Sequence, residues 1–136
     1  AQVMSETIEL IVTDSLKPVK QNDEDSNYAP MLTKELCPID WNEDAKVVHN
    51  KVRGLSPWPV ATAKFNDKSI KIHKTLIVDN YSGQPGEVIV SDKKLVVGCG
   101  NSTAVEIQVL QLEGKKALCA ADFLRGNPIP KGTFFK

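Results

Sequence analysis

Residues 50–65, NKVRGLSPWPVATAKF, separate two kinds of sequence. Ahead of them apolar residues recur at helical spacing, and behind them they alternate as in strands. The first part completes a helix in which Ala45, Val48 and Val52 share one face. Asn42 is its expected N-cap, Glu43 and Asp44 suit the positive end of the dipole, and Lys51 and Arg53 fall in the last turn, where cations are favoured. Gly54 is the expected terminator. Pro57 and Pro59 each disfavour helix at the preceding residue, so the chain must turn. Trp58, between them, is expected as a core anchor that fills the joint between helix and sheet; the competing reading is a platform for base stacking.

Downstream, the runs VATAKF, SIKIHKTLIVD, GEVIVSD, KLVVGCG and TAVEIQVLQLEG are β-rich and are punctuated by NDK, DNYSGQPG, SDK and GNS. Ile70 and Ile72 alternate with Lys71 and His73, and Val105, Ile107 and Val109 alternate with Glu106 and Gln108. That spacing predicts short antiparallel strands with one face inside and one face wet. Five such strands in so short a segment most simply close into a small barrel. CAADFLRG reads as a short last helix stopping at Gly126, and NPIPKGTFFK as an extended tail. The glycines of GCG, residues 98–100, are followed by β-branched residues and not by a helix, so a hairpin turn fits and a nucleotide loop does not. Cys99 has no evident base partner and is not expected to be a nucleophile.

Upstream, residues 2–14 read as a short amphipathic helix through Met4, Ile8, Ile11 and Val12. KQNDEDSN is a polar, acidic linker, and YAPMLTKELCPIDW is expected to lie extended along a surface. The whole chain, 136 residues with 41% hydrophobic and 25% charged, holds enough apolar material for one core. Its net charge of zero is unevenly spread. Residues 1–45 hold 10 acids and 3 bases; the remainder holds 7 acids and 14 bases. The basic part suits a polyanion, although a solvated surface of alternating lysines has the same composition. Three cysteines without a CxxC speak against a disulfide scaffold and for a reducing compartment, and two distant histidines offer no zinc signature. There is no apolar run of membrane-spanning length, and AQVMSETIEL lacks the layout of a signal peptide.

VRGLSPWP resembles the motif that opens the C-terminal domain of the methionyl-tRNA formyltransferase family. YAPMLTKE and IDW resemble that family's interdomain linker, and PGEVIV, LVVGCG and LQLEGKKALCAADFLRG resemble its barrel strands and final helix. These pieces keep the family's order from about residue 28 to residue 126. The chain departs from the family at Met31, where a lysine is frequent, at Cys119, where a serine often precedes the last helix, and at Val60, which replaces a small residue. A thiol caps poorly, so the start of the last helix is expected to be looser.

The resemblance implies a mainly β fold: a small OB-like antiparallel β-barrel with a preceding helix and linker and a short C-terminal helix. Residues 1–16 would be the last helix of an N-terminal catalytic domain, 17–41 the linker and 42–136 the tRNA-binding domain, the chain being a fragment of a longer enzyme. The implied chemistry moves a formyl group from 10-formyltetrahydrofolate to initiator methionyl-tRNA in the cytoplasm. It uses an Asn, a His and an Asp of the catalytic domain, none of which can be placed here, so no catalytic residue, resident cofactor or metal is expected in this chain.

For His73, beside Lys71 on one strand face with Lys68 and Lys74 nearby, a solvated edge and a phosphate or base contact are both open on the residues alone. The resemblance favours contact. Lys51, Arg53, Lys68, Lys71, His73, Lys74, Lys115, Lys116 and Arg125 are therefore the expected tRNA-binding residues. The expected partners are initiator methionyl-tRNA and the catalytic domain of the same chain, with no membrane. Self-association is expected only through exposed ends, such as the apolar side of the first helix. Two rivals stand beside this reading: a structural barrel in a formyltransferase-like enzyme acting on a sugar or folate, and a free-standing interaction barrel with an acidic tail.

Overall fold

The computed structural model describes residues 2–136, in two compact units: one ends at Pro30 and the other is Met31–Lys136. The first unit contains α1 (Gln2–Val12) and a 3-10 turn, Asp23–Asp25, capped by the Asn22 side chain. The helix lies where the apolar spacing predicts it, yet none of its residues is buried.

The second unit is a six-stranded antiparallel sheet with two helices. Its elements are α2 (Ala45–Gly54), β1 (Ala61–Phe65), β2 (Lys68–Val78), β3 (Val88–Ser91), β4 (Leu95–Gly98), β5 (Ala104–Leu112), β6 (Leu118–Cys119) and α3 (Ala120–Gly126). The strand order is β1-β2-β5-β4-β3, with β6 beside β5. Turn chemistry explains two hairpins. Asn66 and Asp67 between β1 and β2, and Asn101 and Ser102 between β4 and β5, all have positive φ, as the tightest hairpin turns require. Gly100, ahead of the second turn, serves close approach: a Cβ there would overlap the Asn42 carbonyl.

The strands do not close a barrel by themselves, which loosens the expected architecture while leaving its class intact. Edge strands β1 and β3 are joined by the C-terminal tail. Lys64 and Lys136 exchange both backbone hydrogen bonds, at 2.6 and 2.9 Å, while Phe135 N donates to Gly86 O and Val88 N to Thr133 O. The tail so occupies two edges that would otherwise expose unpaired backbone groups. Phe135, only 3% exposed, enters the core between Trp41 and Phe65, at ring distances of 5.9 and 5.6 Å.

The core combines Ile70, Ile72, Leu95, Val97, Val105, Ile107 and Leu110 from the sheet with Ala45, Val48 and Val52 from α2, which packs chiefly on β2. Four expectations need correction. The helix cap is Asp44, whose carboxylate accepts from Lys46 N; Asn42 instead bonds Asp40. The strict alternation in β5 fails at Val109, and Leu110 takes the inward place. Paired bulges cause this: His73 has no partner on β5 and Gln108 none on β2, so both strands change face and return to register at Thr75–Ile107.

Trp58 is not the core anchor, since it is 59% exposed, whereas Trp41 is 5% exposed. The joint is filled by Leu55 and Val60, both buried, with Val60 N donating to Leu55 O at 2.9 Å. Val60 has φ of 74°, a region that favours glycine and is unusual for a β-branched residue. That conformation accounts for the small residue expected at this position.

The segment around Pro38 also differs from a surface strip. Ile39 N donates to Thr62 O and Thr62 N to Cys37 O, and Cys37, Ile39 and Trp41 are all buried. The segment so behaves as a short extra partner to β1. Among the described residues no helix is long and apolar enough to cross a membrane.

Candidate nucleic-acid interface

The β2 bulge decides which polar groups face outward. Ile70 and Ile72 point inward; strict alternation would turn Lys74 inward as well. With His73 inserted, Thr75 becomes the buried residue and Lys74 stays exposed beside His73. Two consecutive polar side chains thereby reach one surface.

That surface faces α2. His49 and Arg53 lie one turn apart on the helix, and together with Val52, Ser56, His73, Lys74 and Thr75 they line a cleft of about 310 Å³. The His49 ring is fixed by a 3.0 Å bond between Nδ1 and Thr75 Oγ1, and Arg53 donates to Asn50 at 3.2 Å. None of the seven lining residues is acidic. A cleft with cationic walls and no carboxylate attracts anions and concentrates field between low-dielectric surfaces.

A hydrogen-bonded chain leads from this cleft to a second group of cations. His73 Nε2 meets Gln111 Oε1 at 2.9 Å, and Gln111 Nε2 donates to the Lys115 carbonyl at 2.6 Å. The Gln111 oxygen is an acceptor there, so His73 presents Nε2–H to it. Lys71 sits directly opposite Gln111 in the sheet register. Lys115 and Lys116 border a groove of about 270 Å³ that includes Leu112, Phe123 and Asn127. The same three residues adjoin Lys68 in a neighbouring groove of about 260 Å³.

Seven of the nine expected residues therefore lie on connected ground: Arg53, His73 and Lys74 at the cleft, Lys71 opposite Gln111, and Lys68, Lys115 and Lys116 around the grooves. Two lie apart. The Lys51 ammonium donates to the Pro38 carbonyl, on the side of α2 that meets Leu32 and Leu36. Arg125 pairs with Asp122 and lines a separate depression with Ser91 and Asp92. Hydrogen bonds from the Cys119 thiol and then from Arg125 hold the Asp122 carboxyl below its ordinary range. As expected, Cys119 gives α3 no side-chain cap.

Sequence reasoning missed His49 and Gln111. His49 could have been found from its position four residues before Arg53. Gln111 becomes visible only once the register is known. Cys99 is fully buried, and desolvation, followed by the nearby Asp44 charge, pushes its thiol up to about 12, which excludes a thiolate nucleophile near neutrality. Among the described residues no cluster of His, Cys, Asp and Glu is arranged to hold a metal ion.

Residues 31–128 match the family described as formyl transferase, C-terminal domain. A methionyl-tRNA formyltransferase from Caldanaerobacter subterraneus subsp. tengcongensis is 39% identical over 137 aligned residues, covering 100% of this chain and 44% of that protein. Another, from Pelobacter propionicus, is 42% identical over 134 residues, covering 98% of this chain and 41% of that protein. Among solved structures, HypX from Aquifex aeolicus in complex with tetrahydrofolic acid superposes with a TM-score of 0.61 at 25% identity, over 99% of this chain and 26% of that one. The chain thus spans less than half the length of these relatives.

Proposed function

Because the chain belongs to the formyl transferase C-terminal domain family, we propose that it is the RNA-holding part of a methionyl-tRNA formyltransferase. The observation that carries this reading is the acid-free cleft between α2 and β2, continued through His73 and Gln111 to Lys115. Arg53, Lys68, Lys71, Lys74, Lys115 and Lys116 neutralise backbone phosphates and release counterions, while His73 and His49 supply hydrogen bonds. Lys51 and Arg125 contribute less, because one is bonded to Pro38 and the other is paired with Asp122.

The complete enzyme moves a formyl group from 10-formyltetrahydrofolate to the amino group of initiator methionyl-tRNA, in the cytoplasm. The catalytic domain reads the acceptor end, and this domain holds the body of the same tRNA. Contacts to phosphate position the RNA without reading its sequence, so binding by the chain alone is weak and permissive.

A titration of tRNA against the chain at several salt concentrations tests the reading. Four to six phosphate contacts predict a log–log slope of roughly −3 to −5. A slope near zero, or no binding at low salt, would refute it. The purified chain is expected to transfer no formyl group, and turnover would contradict the absence of catalytic residues.

A second reading is favoured by the likeness to HypX, whose name is not that of a tRNA enzyme. In that case the domain is a structural barrel in a formyltransferase with another substrate. The same titration separates the two, since a structural barrel shows no salt-dependent affinity for tRNA.

A further inference from the structure

Packing does not explain the place of Trp58 in the molecule. The chain has two tryptophans: Trp41 is 5% exposed and Trp58 is 59% exposed. Exposing so large a ring forgoes burial that the core elsewhere uses fully. The exposure is built in. Leu55 and Val60 are buried and joined by a 2.9 Å backbone hydrogen bond, and Pro59 is buried as well, so residues 56–58 stand out between two fixed points. Pro57 and Pro59 on either side restrict the backbone that carries the ring.

The location adds chemistry to the exposure. Ser56 is part of the wall of the α2–β2 cleft, with Arg53 and Lys74. Trp58 is two residues further on in the same turn, so its Cα lies no more than about 7 Å from that of Ser56. The geometry points to Trp58 as a stacking platform for one unpaired nucleobase, whose flanking phosphate lies in the cleft. A protein-docking tryptophan is expected at the centre of an apolar patch. Here the neighbouring cleft has a single aliphatic lining residue, Val52, and that residue is itself buried.

The inference rests on the RNA-holding reading and narrows its ligand. Bases inside a duplex already have stacking partners, so the nucleotide must come from a loop, a bulge or an end. Every base offers a π-face, so the contact selects unpaired structure and not sequence.

The test uses the whole chain and the tryptophan emission. Trp41 is buried and gives a constant background, so a base stacked on Trp58 is read directly as quenching. Three probes of equal phosphate number are compared: a single-stranded oligouridylate, its abasic counterpart and a blunt RNA duplex. The single strand is expected to quench and to bind roughly 5- to 150-fold tighter than the abasic strand. W58A should lose both the quenching and that margin, and W58F should recover most of the affinity. R53A with K74A should weaken the base-bearing and abasic strands by the same factor.

Equal affinity for base-bearing and abasic strands, or quenching absent at saturation, would overturn the stacking platform and leave the phosphate contacts standing. RNA affinity unchanged in W58A would do the same. Failure of all three probes to bind would overturn both readings.

Discussion

Two helices of nearly equal length, 11 and 10 residues, each carry an apolar face, and they meet opposite fates. In α2, Ala45, Val48 and Val52 are each 2% exposed or less, whereas in α1 Met4, Ile8 and Ile11 are 65%, 51% and 57% exposed. Periodicity is a statement about one surface, and burial needs a second. α2 is delivered to its partner surface at both ends. Asp44 caps its start beside the bridge to Gly100, and Leu55 and Val60 anchor its exit into β1. Among the described residues α1 has no such anchors, and a helix of its length is marginal in water without packing.

The contrast can be broken most forcefully where the second unit is joined edge to edge. Phe135→Ala empties a site between Trp41 and Phe65 and loosens the tail that ties β1 to β3. The expected loss is about 3–5 kcal/mol in urea unfolding. A loss below about 1 kcal/mol would show that the tail does not complete the core. Next in size, Val52→Ala removes two methyl groups from a buried helix face and should reduce stability by about 2 kcal/mol.

A smaller effect is tied to pH. Burial raises the Cys99 thiol from an ordinary 9.0 to about 12. The folded protein then holds its proton more tightly than the unfolded chain, so the associated stability is fully present below pH 9 and falls as pH rises toward 12. Cys99→Ala should flatten that decline, by at most about 1.4 kcal/mol per pH unit in denaturation at pH 9 to 11. An unchanged slope would assign the alkaline loss to other groups. The smallest effect is expected in the first unit. Ile8→Ala should shift unfolding by no more than about 0.5 kcal/mol, and a larger loss would mean that the face of α1 is covered in solution.

The strands and the α2 face were legible because alternation and helical spacing are local signals, and Asn66–Asp67 is a local turn signal too. What escaped was set by distant contacts. The paired bulges that turn Lys74 outward and Val109 away from the core leave no mark on the spacing of β2 or β5. Which tryptophan faces inward was equally hidden. Trp58 sits in a proline corner with no period to orient it, and Trp41 follows a segment with few regular signals whose hydrogen bonds to β1, through Ile39 and Cys37, are distant contacts. The tail was expected to be extended, but its role between two sheet edges depends on where those edges stand. In the candidate site, the cations were legible as residue types; their grouping was not, since it follows from register and from the His73–Gln111–Lys115 chain.

The central claim is that lysines along β2 and the β5–β6 turn hold RNA by its phosphates. Its most direct test is the affinity of the chain carrying K71A, K74A, K115A and K116A for initiator and elongator tRNAs across salt. The account predicts an equal loss of affinity for both, with the salt slope reduced by roughly 3. Affinity and slope that match the unsubstituted chain, or a loss confined to initiator tRNA, would contradict it.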